Sequence, residues 1–367
     1  MPHEPLFRPL TIGEITIPNR VVMAPLTRSR AEQPGDIPGA MNAEYYRQRA
    51  GMGLIVSEAT YVSLVGRAYG EIPGIVTDEQ VAGWRRVTDA VHEAGGRIFL
   101  QLIHGGRIGH KDLTGGATPV APSAIRAESQ TYIKGGAGKI AVEEPRALET
   151  DEIPGVVREF ADAARRAIEA GFDGVEIHGA NGYLVDQFTR DGSNRRTDAF
   201  GGSLENRLRF PVEVARAVAE AIGAARTGYR ISPGNEFNSM SDSDPIATFS
   251  ALGRALGGLG LAYLHAAEIG PDRSMTREAT DASFTAFKEA GGGATIANCG
   301  YTGETASARI ADDGADAVAF GVLAIANPDL AERLRVGASL NDPDQSTFYG
   351  GGAEGYTDYP ALAATAT

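Results

Sequence analysis

Eight apolar, β-rich runs alternate with helix-patterned segments, and that alternation restricts the fold more than any other feature of the chain. The runs are 20–24, 54–59, 97–102, 174–178, 229–232, 261–266, 295–297 and 317–320. Each precedes a segment with apolar residues at helical spacing. The clearest are 77–94, 150–170 and 203–222, opened by acidic or hydroxyl residues and in two cases closed by glycine. Eight strand–helix units predict an α/β fold of the closed (β/α)8 TIM-barrel type rather than a doubly wound sheet. The stretch 6–18 alternates apolar and polar residues about Gly13 and predicts a β-hairpin plugging the lower end of the barrel. Between the third strand and third helix lies an excess, 104–147, which a compact domain usually keeps for function. It carries Thr131-Tyr132-Ile133, Gly135-Gly136-Ala137-Gly138 and Ile140-Ala141-Val142, which predict a two-stranded lid. A Gly- and Tyr-rich tail, 341–367, is expected to wrap the surface. No boundary or repeat beyond the βα alternation divides the 367 residues, so they are read as one domain.

Composition narrows the chemistry. The net charge of −13 opposes the concentrated basic face that nucleic-acid binding needs. No apolar run is long enough to span a bilayer. Neither a nucleic-acid nor a membrane partner is therefore expected. Cys299 is the only cysteine, which excludes an internal disulfide. The opening Met1-Pro2-His3-Glu4-Pro5 lacks the basic-then-apolar order of a signal peptide, so the expected compartment is the cytoplasm. Lysine is confined to Lys111, Lys134, Lys139 and Lys288. None lies at a strand end, which argues against a Schiff-base aldolase. No strand carries a His-x-His pair, and the strand-end histidines lack the carboxylate company of a catalytic metal, so no metal is expected. No serine sits in a nucleophile-elbow setting.

In such a barrel the active site is built from the carboxyl ends of the strands. Those ends carry Pro25 and Thr27, Glu58 and Ala59, Gln101 and His104, then His178, Asn181 and Tyr183. Arg230, His265, the Asn298-Cys299-Gly300-Tyr301 turn and Gly321 follow. The fourth end is the richest: Val175-Glu176-Ile177-His178-Gly179-Ala180-Asn181-Gly182-Tyr183 passes from a buried strand to three polar side chains in six positions. Two donors that can be neutral and a phenol with a labile proton suit a carbonyl substrate better than a metal. His178 taken alone is equally well read as a buried strand-end histidine with its hydrogen bonds met. The turns after strands seven and eight are the usual phosphate position of this barrel, where Cys299-Gly300 and Gly321 allow close backbone approach. Gln101 offers an amide to a flavin's pyrimidine edge, Arg230 a positive charge beside its N1–C2 carbonyl, and Thr27 a hydrogen bond to its O4. The alternative for Gln101 and Arg230 is a structural network across the barrel mouth.

Over nearly its whole length the chain resembles the Old Yellow Enzyme family of FMN-dependent ene-reductases. The resemblance rests on Ala24-Pro25-Leu26-Thr27-Arg28, Ser57-Glu58-Ala59-Thr60, Gln101-Leu102-Ile103-His104-Gly105-Gly106-Arg107, and His178 through Tyr183. It continues in Ser193-Asn194-Arg195-Arg196-Thr197-Asp198, Phe200-Gly201-Gly202-Ser203-Leu204-Glu205-Asn206-Arg207, Arg230-Ile231-Ser232-Pro233, Asn327-Pro328-Asp329-Leu330 and Tyr349-Gly350-Gly351. It implies one FMN, reduced by NAD(P)H (more often NADPH) and reoxidised by an activated small-molecule alkene. His178 and Asn181 would hold the carbonyl or nitro oxygen where negative charge develops. Hydride would reach the β-carbon, and Tyr183 would protonate the α-carbon. A phenol of pKa about 10 stays protonated at neutral pH and is a fair acid toward an enolate-like carbon. Thr27, Gln101 and Arg230 fall on the family's flavin contacts, as do the backbones of Pro25, Ala59, Gly300 and Gly321, with Cys299 and Val322 beside them. Tyr69, Ile103 and Tyr349 fall on positions that line the substrate pocket.

Two departures matter. Val322 stands where many members carry a phosphate-clamping arginine, which removes one charge-assisted contact and predicts weaker FMN retention. Ile103 stands where tryptophan is common, and the smaller side chain is expected to open the pocket. Cluster-bearing FMN barrels need more cysteines and extra domains, and a dihydroorotate-dehydrogenase-like enzyme needs a strand-end lysine. A catalytically silent flavin-binding protein would not need the intact His178/Asn181/Tyr183 set. A monomer and a homodimer are both compatible with the sequence.

Overall fold

The computed structural model of the protein describes residues 2–134, 137–268 and 277–363. Eight parallel strands form its centre: β1 Val21–Met23, β2 Leu54–Val56, β3 Ile98–Ile103, β4 Gly174–His178, β5 Thr227–Ile231, β6 Tyr263–Ala267, β7 Ala294–Asn298 and β8 Ala317–Phe320. Every residue in them is buried, as expected of strands covered on both faces. Each strand pairs with the next, and β8 pairs back onto β1, so the sheet closes into a barrel with no edge.

Helices cover the outside: α1 Ala40–Arg47, α2 Asp78–Glu93, α3 Ile153–Glu169, α4 Leu204–Ile222, α5 Pro245–Gly257, α6 Glu278–Glu289, α7 Gly303–Ala311 and α8 Leu330–Val336. The hydroxyl residues expected to open helices do so as caps. Thr77 Oγ1 accepts from the Gln80 N–H, and Ser203 Oγ from the Asn206 N–H. Two boundaries shift from the sequence reading. Helix α3 starts at Ile153 rather than at 150, because Pro154 is tolerated only in the first turn. Strand β2 stops at Val56 rather than at 59. There the Tyr46 hydroxyl, not a neighbouring strand, accepts the Glu58 N–H at 2.8 Å.

The amino-terminal hairpin pairs Leu10–Ile12 with Ile15–Ile17, and its Ile12 and Ile17 pack among the inward Val22, Leu54, Phe99 and Ile296. It closes the lower mouth. After β3, Gln130–Lys134 pairs antiparallel with Ala137–Ala141; the Gly135-Gly136 turn expected between them lies outside the described residues. Val120–Ala121 pairs with Arg146–Ala147 at the base of this insertion. No helix among the described residues is long and apolar enough to cross a membrane.

Two arginines just past β1 strap the tail across the upper mouth. Arg28, fully buried, donates from Nε to the Phe348 carbonyl at 2.8 Å and from Nη2 to the Gly355 carbonyl at 2.9 Å. The Gly350 N–H returns a bond to the Arg28 carbonyl at 2.9 Å. Arg30 donates to the carbonyls of Thr347, at 2.8 Å, and Gly352, at 3.1 Å. Tyr356 stacks on Tyr45 with ring centroids 4.1 Å apart, and the Arg30 guanidinium covers Tyr356 at 4.5 Å. Replacing Arg28 by Met keeps bulk but leaves those carbonyls without donors. It should lower unfolding free energy by about 2–4 kcal/mol, since breaking buried charge-assisted bonds leaves unsatisfied partners. Denaturant unfolding reads the loss, and limited proteolysis should cut 345–357 faster than in the parent. An unchanged cleavage rate would mean the tail is held by other contacts.

Candidate active site

The exit of β4 is built to hold three side chains still. Asn181 and Gly182 both take left-handed backbone angles, φ 57 and 78, which turn the chain sharply after the strand. That turn places Tyr183 as the residue capping the short helix Leu184–Thr189. Buried polar contacts fix it: Asp186 Oδ2 accepts the Gly182 N–H at 2.9 Å, and Gln187 Nε2 donates to the Gly182 carbonyl at 2.7 Å. Asp186 in turn pairs with the buried Arg190 at 2.8 Å.

His178 and Tyr183 meet directly, while the Asn181 side chain is tied to a different loop. The His178 ring lies edge-on to the Tyr183 ring, centroids 4.8 Å apart. The Tyr183 hydroxyl is 2.9 Å from that of Tyr69. His178 Nδ1 is buried with no hydrogen-bond partner. Burial, with Arg230 and His265 beside it, holds His178 well below the usual imidazole range, so the ring is neutral. Burial and the neighbouring Tyr69 hold Tyr183 well above the usual phenol range, and burial pushes Tyr69 up to about 12. Asn181 is held by the loop after β5. Its N–H donates to Ser232 Oγ at 2.8 Å, its Oδ1 accepts from Asn235 Nδ2 at 2.9 Å, and its carbonyl accepts from Asn238 Nδ2 at 2.9 Å.

Below this layer sits a buried network that joins the strand-end residues Gln101, His265, Arg230 and Asn298 to Glu176 and Tyr263, which sequence reasoning did not single out. Glu176, fully buried, accepts from Gln101 Nε2 at 2.8 Å and Tyr263 Oη at 3.1 Å, and its Oε2 lies 2.8 Å from His265 Nδ1. Arg230 Nη2 donates to Asn298 Oδ1 at 2.6 Å while its buried Nε has no partner. Asn298 Nδ2 is anchored on the Ala319 carbonyl at 2.8 Å. The available signal was Glu176 itself, a charged residue inside an apolar strand run.

After β7, Cys299 and Gly300 have φ 92 and 71, a left-handed pair that turns the chain sharply at the strand end. A Cβ added to Gly321, which opens the short helix Val322–Ala326, would touch only Leu26 Cδ2, at 3.5 Å, so the space above it is open. A cavity of about 430 Å³ runs between Val322, just after β8, and Tyr183. Of the residues selected from sequence, Pro25, Thr27, Tyr69, Tyr183, Val322 and Tyr349 line it. Leu26, Ser29, Tyr132, Phe237, Ile325 and Phe348 complete the wall. Sequence reasoning gave them no site role because Ser29, Phe237 and Phe348 sit on loops or the tail, Tyr132 on the inserted hairpin and Ile325 inside a short helix, while Leu26 is an apolar residue between two selected ones. Gln101, His178 and Arg230 lie deeper and are buried; Ile103 and Ala59 pack together behind Tyr183 with Tyr61 and Ala68.

The donor set fits a flavin mononucleotide: unpartnered buried nitrogens on His178 and Arg230, a fixed amide on Gln101, a left-handed backbone turn at Cys299-Gly300 and open space above Gly321. Among the described residues no group of His, Cys, Asp and Glu is placed to hold a metal ion.

Comparison with known proteins agrees. The model of the NADH:flavin oxidoreductase / NADH oxidase family matches residues 5–341. A probable flavin mononucleotide-dependent alkene reductase of Leishmania infantum is 43% identical over 362 residues, 97% of each chain. Morphinone reductase, solved in complex with tetrahydroNAD, superposes with a TM-score of 0.92 at 50% identity, covering 98% of both chains. The old yellow enzyme homologue of Zymomonas mobilis superposes at 0.91 with 41% identity, covering 97% of this chain and 99% of its own.

The neutral state of His178 has a measurable consequence. The folded protein refuses a proton that the unfolded chain accepts below about pH 6.5, so the unfolded state binds more protons there. The contribution is therefore fully present above about pH 6.5 and is lost as pH falls below it. Substituting Gln for His178 removes that term. Denaturant unfolding at about pH 7 and about pH 5 should show a shallower loss for His178→Gln than for the parent. His104, pulled down to about 4 by burial, and His265, also lowered by burial, add to the slope equally in both proteins. Equal losses in the two proteins would place His178 in a solvated setting.

Proposed function

Since the chain belongs to the NADH:flavin oxidoreductase / NADH oxidase family and is an FMN-dependent NAD(P)H oxidoreductase, we propose that it reduces the carbon–carbon double bond of α,β-unsaturated carbonyl or nitro compounds. The observation that carries this reading is the His178–Asn181–Tyr183 set at the exit of β4: a neutral imidazole with a protonated phenol against it, and an amide three residues beyond it in the same turn. FMN, when bound, supplies two-electron carriage from NAD(P)H, with NADPH the expected donor, to the substrate's β-carbon. FMN would be held by Thr27, Gln101 and Arg230 at the ring and by the backbone of Pro25, Ala59, Cys299, Gly300, Gly321 and Val322.

This chain's own residues then do three things. His178 and Asn181 present N–H groups to the substrate oxygen, and such donors act most where negative charge builds up, at the enolate or nitronate oxygen. Arg230, tied to Asn298, keeps a fixed positive charge in the same buried space. Tyr183 gives its phenolic proton to the α-carbon. Tyr69, within hydrogen-bond distance, can pass its own proton toward the vacated oxygen. Among the described residues no charged side chain lines the cavity, and its outer wall is Tyr132, Phe237, Phe348 and Tyr349, which favours neutral, apolar alkenes over carboxylates.

The test is a visible spectrum followed anaerobically. A flavin band should bleach with NADPH and return on adding 2-cyclohexenone. A colourless protein that stays silent after FMN is added would sink the reading. Tyr183→Phe should slow the return by about 100-fold, the usual scale of general acid catalysis, while leaving the bleaching nearly intact. If both phases fell together, Tyr183 would not be the proton donor. Val322, half-exposed on the cavity wall, offers the phosphate no charge. The parent should lose FMN on extended dialysis, and Val322→Arg should tighten binding by about tenfold through one charge-assisted contact. Stoichiometric retention by the parent would show that the backbone turns suffice.

A further inference from the structure

A side-chain amide can face its ligand as a donor or as an acceptor, and only the donor end of Asn181 serves a substrate oxygen. The choice is made by a relay that starts at a backbone group. The Phe237 N–H, which can only donate, is 2.9 Å from Asn235 Oδ1. That bond fixes the Asn235 amide with its nitrogen on the other side. Asn235 Nδ2 then donates to Asn181 at 2.9 Å, and the atom that receives it must be Oδ1. The Asn181 nitrogen is left as the free end. We propose that Asn235 is a positioning residue that fixes the Asn181 amide as a hydrogen-bond donor toward the substrate oxygen.

Two further contacts make the relay rigid. Ser232 Oγ and Asn238 Nδ2 hold the backbone N–H and carbonyl of Asn181, at 2.8 and 2.9 Å, from the same loop. The Asn235 N–H bonds the Ser232 carbonyl at 3.2 Å, which ties the loop to itself. Asn181 sits at φ 57, a left-handed conformation that asparagine tolerates better than most side chains. The loop after β5 thus places the side chain and sets its polarity, while the residue itself belongs to the exit of β4. Phe237, which anchors the relay, also lines the cavity, so substrate and relay share one wall.

The inference rests on the proposed role of Asn181 and is tested by an isosteric inversion. In Asn235→Asp the carboxylate still accepts the Phe237 N–H but cannot donate, so Asn181 turns its nitrogen toward it and shows the ligand an acceptor. Asn235→Leu has the same size, no charge and no donor. Both are made in the parent and in Asn181→Ala, and 4-hydroxybenzaldehyde is titrated into the FMN-loaded proteins. Asn235→Asp should weaken binding by about tenfold or more and Asn235→Leu by about threefold, the scale of one hydrogen bond lost or reversed. In the Asn181→Ala background both changes should shrink to within about twofold, because the relay has nothing left to orient. Equal weakening in both backgrounds would mean that Asn235→Asp acts by charge at a distance, and the inference falls while the role of Asn181 stands. If Asn181→Ala alone binds the phenol as tightly as the parent, the role of Asn181 falls and takes the relay with it. Should the aspartate variant not fold, the leucine variant decides by the same comparison.

Discussion

A buried carboxylate sets the polarity of the whole strand-end layer. Glu176, on β4, is surrounded by Gln101 from β3 and by Tyr263 and His265 from β6. An ionised carboxylate only accepts, so each neighbour must offer it a proton. The consequences run outward from there. The Gln101 amide is oriented, His265 carries its proton on Nδ1, and the positive charge of Arg230 has a counter-charge within the same space. Burial alone would push the Glu176 carboxyl up, but His265, Arg230 and Gln101 outweigh it and hold the group below its usual range. Removing a charge from such a cluster would leave its partners unpaired in a dry interior, which is the costly direction.

Above that layer the architecture divides its labour. The lower mouth is closed by Ile12 and Ile17 and carries no chemistry, while the upper mouth is assembled from strand ends, the loop after β5, the inserted hairpin and the tail. Tyr132 of the hairpin and Tyr349 of the tail stack at 6.1 Å, so two elements far apart in sequence meet over the same cavity. Function here is grafted on a barrel that would close just as well without it.

Much of this was legible in the sequence because periodicity reports burial. Strands β4 and β8 fall on the residues their apolar runs indicated, since a fully covered parallel strand has no polar face to blur its ends. The His178–Tyr183 stretch was legible for the opposite reason: polar residues interrupt an apolar run where solvent or substrate must be reached. Less legible were partners fixed only by three-dimensional closure. Asn298 under Arg230, Asn235 beside Asn181, and the carbonyls of 347–355 around Arg28 are separated by 68, 54 and more than 300 positions, and no local pattern encodes them. Ile103 shows the same limit, for its place on a strand end did not reveal that it lies behind Tyr183.

The strap across the upper mouth also orders events in time. Arg28 and the Phe348 carbonyl are 320 positions apart, the longest class of contact a chain this size can make. Loop closure over such a span costs entropy before it returns any contact, so it forms after the strands between have paired. During synthesis the eight strands emerge first and the segment 345–357 later. Until the tail docks, the cavity lacks the wall that Phe348 and Tyr349 supply. Docking of the tail then adds the last wall over whatever has entered, and each event strengthens the other by mass action.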